Sequence, residues 1–213
     1  MNDRAHFDDT FRTRLHDLLA LRRDVRRFRT DPLPAGTLER LLQTAALAPS
    51  VGLSQPWRFV IVDDPARRAT VREVFAACNA EAAAAYAGER AQRYAALKLE
   101  GLKEAPCQFA VFADHATAAG HGLGRRTMPE TADYSVVVAV AMIWLAARAE
   151  GIGMGWVSIL DPARMNPILD VPPSWRFIGY FCVGYPTEDG DRPELERAGW
   201  ERRRDVAACV LRR

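Results

Sequence analysis

The sequence has no closely spaced cysteines. Four occur among 213 residues, Cys78, Cys107, Cys182 and Cys209, and their separation excludes a C-x-x-C redox or zinc motif. Reduced, partly buried thiols of a cytoplasmic protein are expected instead. Histidine is equally sparse: His6, His16, His115 and His121 show no ligand spacing, so no metal is expected. An excess of one charge is also missing. Lys plus Arg total 29 and Asp plus Glu 27, for a net charge of +2, which gives no global electrostatic case for nucleic acid. Residues 1–10 are polar and mixed in charge, unlike a secretory leader. The longest apolar run, residues 134–147, falls short of the roughly 20 residues of a membrane span and reads as a buried core helix. No internal repeat and no low-complexity linker interrupts the chain. The expectation is one domain over residues 1–213, with neither nucleic acid nor membrane as a partner.

What is present is ample apolar material, 49% of the residues, enough to bury a sizeable core. Phe7, Phe11, Leu15, Leu18 and Leu19 fall at helical spacing, which predicts a first helix over residues 6–21. Leu38, Leu41, Leu42 and Ala45 mark a second, starting near Pro34 and ending before Pro49. Residues 57–62 read as a buried strand, 65–102 as a long Ala-rich helical region interrupted at Gly88, and 107–113 as a second strand. Residues 130–150 form a helix that is apolar nearly all round and therefore central. A short strand follows over residues 156–160, then a short helix begun by Asp161 and Pro162, then a strand over 175–184. Intermixed helices and strands imply α+β or α/β, with helices packed on a sheet.

Three segments carry possible chemistry. Arg22, Arg23, Arg26, Arg27 and Arg29 lie within eight residues of one another, with Asp24 among them. At a helix end Arg22, Arg23 and Arg26 would share a face, and guanidinium groups suit a phosphate through bidentate, charge-assisted hydrogen bonds. Taken alone, such a run is more often a solvated face or is paired with Asp17, Asp24 and Asp31. Residues 48–59 place small polar residues, Ser50 and Ser54, and the Gln55 amide between a helix and a strand. That loop can bond a polar heterocycle or a ribityl chain, or be an ordinary connection closed by Trp57. Residues 151–158 carry Gly151, Gly153 and Gly155, which permit close backbone approach. They follow a helix and precede a strand, the reverse of a dinucleotide fingerprint.

In this order the three segments resemble the nitroreductase family of FMN proteins, from about Leu15 to the C-terminus. The resemblance implies an α+β fold with a central, mostly antiparallel sheet flanked by helices, in an intertwined homodimer with FMN at the subunit interface. It places Arg22, Arg23, Asp24, Val25 and Arg26 at the FMN phosphate and ribityl end, Ser50, Leu99 and Ser158 near the flavin, and Arg202, Arg203 and Arg204 as C-terminal closers on the phosphate. Two positions depart from ordinary nitroreductases. Asp24 stands where a phosphate-binding serine is usual, and an anion there is repelled by phosphate. Leu53 stands where an asparagine is usual. Both departures, with R-R-D-V-R (22–26), S-V-G-L-S-Q-P-W (50–57), G-R-R-T-M-P-E (124–130) and G-W-V-S-I (155–159), resemble the dimethylbenzimidazole synthase branch of the family.

That branch implies that reduced FMN is a substrate. It is fragmented with dioxygen to 5,6-dimethylbenzimidazole, the lower ligand of vitamin B12, and a four-carbon sugar phosphate. A separate flavin reductase would supply the reduced FMN. Oxygen chemistry needs a closed, water-poor site. Residues 119–129 are the candidate lid, with Arg125 and Arg126 as latches, and about 185–213 form a C-terminal extension. Asp24 is the candidate base near the first ribityl carbon, or else orients Arg22 or Arg26. Ser158 is a candidate partner of the flavin edge, or a structural hydroxyl. The alternatives are an NAD(P)H-dependent FMN nitro- or enone-reductase, a non-catalytic flavin-binding protein, and a basic nucleic-acid module.

Overall fold

In the computed structural model, residues 7–188 and 190–213 are described; His6, included in the expected first helix, lies outside them. Asp8 caps the first helix, α1 (Asp9–Leu21), by accepting from the Phe11 backbone N–H at 2.7 Å. The helix α2 (Thr37–Gln43) starts after Gly36 and tightens into a 3-10 turn, Thr44–Leu47. The strand β1 (Trp57–Ile61) follows. The Asp64 carboxylate accepts from the Ala66 N–H to open α3 (Pro65–Ala84), and Pro65 sits where no intrahelical N–H is needed. The helix α4 (Gly88–Ala95) ends well before Leu102, so the expected helical stretch is shorter than its alanine content suggested. The residues after it, 96–106, are held by specific side-chain contacts instead.

The strand β2 (Cys107–Asp114) and the later β4 (Trp175–Gly184) pair antiparallel at the centre of the sheet. Between them in sequence lie α5 (Thr131–Ala149), β3 (Gly153–Val157) and α6 (Pro162–Leu169). A short helix, α7 (Glu194–Arg197), precedes the C-terminal tail. The sheet order is β1-β2-β4-β3, antiparallel throughout. The expected α+β class with an antiparallel sheet is thus observed.

Side chains alternate across the two central strands. Phe109, Val111, Phe181 and Val183 pack with α2 and α5 on one face. Ala110, Phe112, Tyr180 and Cys182 pack with α3 and α6 on the other. Burial on both faces makes these strands nearly continuous in hydrophobicity. β1 is an edge strand and only half-buried, less than its apolar sequence suggested. β3 spans Gly153–Val157, earlier than the expected 156–160, because its glycines pair with β4 and Ser158 falls just beyond. α5 stops in the usual glycine manner: Gly151 has φ +72°, and the N–H groups of Gly151 and Ile152 return to the carbonyls of Arg148 and Ala147.

Two apolar faces remain uncovered. No residue of α1 is buried, and Phe7, Phe11, Leu15 and Leu19 are exposed. α5 is central, but Tyr134, Val137 and Val138 face outward from a single chain. At 19 residues and a mean hydropathy of 1.5, α5 is long and apolar enough to cross a membrane by length and composition alone. Eight of its residues, from Ala132 to Ala147, are instead buried within the fold. All four cysteines are free thiols, with Cys182 buried and Cys209 exposed.

Candidate functional site

The arginine segment does not continue α1. Arg22 ends the helix in an extended conformation, φ −65° and ψ 129°, so the three arginines do not share a helix face. The chain instead runs along the free edge of β3. The Val25 N–H donates to the Met154 carbonyl at 3.0 Å, and Asp24 bridges to Met154 in parallel register. The glycines of β3 explain how it comes so close. A Cβ on Gly155 would lie 2.0 Å from the Val25 carbonyl oxygen, and one on Gly153 would meet the Val25 side chain at 2.9 Å. Within this chain the close approach permitted by these glycines is therefore taken up by Val25, while Gly151 serves the helix end.

Asp24 is the centre of this edge. Its Oδ1 accepts the Trp156 backbone N–H at 2.8 Å, and its Oδ2 accepts from Arg26 Nη2 at 3.0 Å and Nε at 3.3 Å. The remaining Arg26 nitrogen, Nη1, donates to the Lys98 carbonyl at 3.2 Å. The Arg26 side chain is largely buried, 14% exposed, and Asp24 is 33% exposed. Residues 96–106, which carry the half-buried Leu99, are thereby joined to the arginine segment.

Arg22 lies over the Trp144 ring with its Cζ 4.9 Å from the centroid, and Trp144 Nε1 donates to the Arg23 carbonyl at 3.0 Å. Arg23 spends its terminal nitrogens on the carbonyls of Ala20, Arg22 and Asp191, and its buried Nε has no partner. Burial lowers the Arg23 pKa, and the positive charges of Arg203, Arg22 and Arg148 push it further down. Arg22, Arg23, Arg26 and Arg203 line a cavity of about 150 Å³, with Asp24 and Glu194 as its acids. Each acid is already paired, Asp24 with Arg26 and Glu194 with Arg27. The cavity thus holds an excess of cations, the guanidinium groups that suit a phosphate monoester. Arg203 arrives there from the C-terminal tail, whereas Arg202 lines a separate cavity with Arg93 and Trp200. Trp144 and the Lys98 carbonyl were missed. A lone indole N–H in an otherwise apolar helix, which must find an acceptor when buried, was the one available signal.

Ser50 is not brought to this cavity. Its Oγ accepts the Gln55 N–H at 3.1 Å, and the adjacent Val51 N–H donates to Ser135 Oγ at 3.0 Å, near the start of α5. Trp144 lies near the other end of that helix, on the order of 13 Å along the axis. Ser158 is exposed just past β3. What rests on the Ser50 loop is the 119–129 segment. A Cβ on Gly120 would lie 2.5 Å from the Gly52 carbonyl oxygen, and one on Gly124 would lie 2.6 Å from Val51 Cγ2. Ser54, 2% exposed, sits under this contact with an unpartnered hydroxyl. Arg125 staples the segment internally, donating to the carbonyls of Thr117 at 2.8 Å, Ala119 at 3.1 Å and His115 at 3.4 Å. Arg126 makes no ion pair among the described residues. At the base of the segment, His115 Nε2 lies 2.7 Å from Asp133 Oδ1 on α5. Among the described residues no three His, Cys, Asp or Glu side chains gather as metal ligands.

Comparison with known proteins gives this geometry its context. Residues 19–185 match the nitroreductase family. The chain is 58% identical over 198 residues to the 5,6-dimethylbenzimidazole synthase of Rhodospirillum rubrum, covering 93% of this chain and 94% of that protein. It is 48% identical over 196 residues to the enzyme of the same name from Rhodobacter capsulatus, covering 92% and 95%. A crystal structure of oxidized iodotyrosine deiodinase bound to FMN and 3-iodo-L-tyrosine superimposes with a TM-score of 0.73 at 26% identity, covering 93% of this chain and 97% of that one.

Proposed function

This chain belongs to the nitroreductase family, and from that premise we propose that it converts reduced FMN and dioxygen to 5,6-dimethylbenzimidazole and a four-carbon sugar phosphate. The observation that carries the reading is the cation-rich cavity behind R-R-D-V-R, found in a chain 58% identical to an enzyme of that name. Arg22, Arg23, Arg26 and Arg203 would hold the phosphate. Asp24 holds Arg26 in register, and its partly exposed carboxylate is the proton acceptor proposed for the ribityl side. Leu99 and Ser158 are proposed to bound the flavin. The bound flavin supplies the electrons that reduce oxygen; the protein supplies orientation, a proton acceptor and exclusion of water.

A homodimer completes this reading. Within one chain Ser50 is held at the start of α5, away from the arginine cavity, and the Ser50 loop of a second copy is proposed to meet the flavin held there. The uncovered apolar faces of α1 and α5 support such a pairing. The 119–129 segment, resting on the Ser50 loop, is proposed as the lid over the ring. A separate flavin reductase would supply the reduced substrate, and a cytoplasmic location is consistent with four free thiols.

The test is to mix the protein anaerobically with chemically reduced FMN, admit air, and separate the products by chromatography. 5,6-Dimethylbenzimidazole is expected. Quantitative recovery of intact FMN would overturn the proposal. Rapid reduction of bound flavin by NADPH would point to the reductase alternative.

A further inference from the structure

Gln108 is an anomaly in β2. Its neighbours Phe109 to Ala113 are apolar and fully buried, yet this amide is only 1% exposed. A buried amide is costly unless its hydrogen bonds are made, and here they are. Gln108 Nε2 donates to the Leu102 carbonyl at 2.8 Å and to the Ala105 carbonyl at 3.4 Å. Its Oε1 accepts from Tyr180 Oη at 2.8 Å, across from the adjoining strand β4. Tyr180 is itself 0% exposed, and burial pushes its phenol up so that it stays a donor.

Both carbonyls gripped by Gln108 belong to residues 96–106, which have no regular secondary structure between α4 and β2. The same segment supplies the Lys98 carbonyl that accepts from Arg26. It also packs directly on the arginine segment: a Cβ on Gly101 would lie 2.4 Å from the Phe28 ring. Asp24 fixes one side of the Arg26 guanidinium and Lys98 the other, so displacement of the segment would release one of its two restraints.

We propose that Tyr180 and Gln108 are positioning residues that set Arg26 for the flavin phosphate, acting through residues 98–105. The proposal rests on the reading that the arginine cavity takes that phosphate. The chain of contact runs Tyr180 Oη, Gln108 amide, Leu102 and Ala105 carbonyls, Lys98 carbonyl, Arg26. No member of it before Arg26 touches the cavity.

The discriminating experiment compares a ligand that carries the phosphate with one that lacks it. Reduced FMN and reduced riboflavin are titrated anaerobically into the full-length protein, followed by tryptophan fluorescence. Tyr180→Phe keeps the ring packing and removes one hydroxyl. It should weaken FMN by roughly three- to tenfold, the scale of one hydrogen bond, and leave riboflavin unchanged. Gln108→Met is the second variant and should act in the same direction. In an Arg26→Ala background, Tyr180→Phe should no longer change FMN affinity. Equal losses for both ligands, no loss for either, or additive effects in the double variant would overturn the proposal. If the wild-type protein does not prefer FMN to riboflavin, the phosphate reading itself fails. If the wild type prefers FMN and both variants keep the full preference, only the positioning role fails.

Discussion

Asp24 and Trp156 meet across the free edge of the sheet, where the Trp156 backbone N–H donates to Asp24 Oδ1 at 2.8 Å. This bond makes a side chain do what an added strand would otherwise do, satisfying an edge N–H that has no strand partner. It also aims the second carboxylate oxygen at Arg26, 3.0 Å away. One residue therefore docks the arginine segment, orients the largely buried Arg26 guanidinium, and keeps a carboxylate at the cavity wall.

Replacing Asp24 by Asn separates these duties. The amide oxygen can still accept from Trp156, but the amide NH2 then faces Arg26 and cannot accept from it, so FMN affinity should fall by up to roughly tenfold. Loss of a positioned base should slow benzimidazole formation by roughly 10²- to 10⁴-fold. Single-turnover assays with reduced FMN and air measure both quantities. Native affinity together with the native rate would leave Asp24 no role as a base.

Arg26→Ala removes a charge-assisted contact from a largely buried position. The expected loss of FMN affinity is about 1.5–3 kcal/mol, tenfold or more. Anaerobic calorimetry reads it directly, and unchanged affinity would take Arg26 out of the phosphate site.

Gly120 has φ +73°, and a Cβ there would lie 2.5 Å from the Gly52 carbonyl oxygen. Gly120→Ala should lift the 119–129 segment off the Ser50 loop. If the segment closes the site, water enters and more of the reduced FMN is oxidised without fragmentation. The ratio of hydrogen peroxide to 5,6-dimethylbenzimidazole should rise. The same ratio as wild type would mean the contact has no part in closure.

Val138 is 40% exposed on the uncovered face of the most apolar helix. Val138→Glu should convert a dimer to monomers in sedimentation velocity runs, because an unpaired charge buried at an interface costs several kcal/mol. A wild-type protein that already sediments as a monomer would refute the composite site.

Much of the architecture was legible in residues that act locally. Asp161-Pro162 marks a helix start through its own side chain and ring, and Gly151 marks a helix end through its own φ. Cys107–Asp114 and Trp175–Gly184 read as strands from local hydrophobicity alone. The clustering of Arg22, Arg23 and Arg26 was legible too, but as a helix face, because local periodicity says nothing of the strand edge that draws the segment into extended form. The same limit hides what covers α5, read as apolar nearly all round and central, whose Tyr134, Val137 and Val138 are exposed within one chain.

The amino-acid order by itself determined the class of fold, the element sequence and the residue types available to meet a phosphate. Tertiary structure decided which of them converge. Arg203 is about 180 residues from Arg23 along the chain and lines the same cavity, whereas Ser50, much nearer in sequence, does not. Such pairings depend on how the strands stack in the order β1-β2-β4-β3. That order is set by the joint burial of two faces and by the polar groups that must find partners across them, energies shared among distant residues and written in no single stretch of the chain.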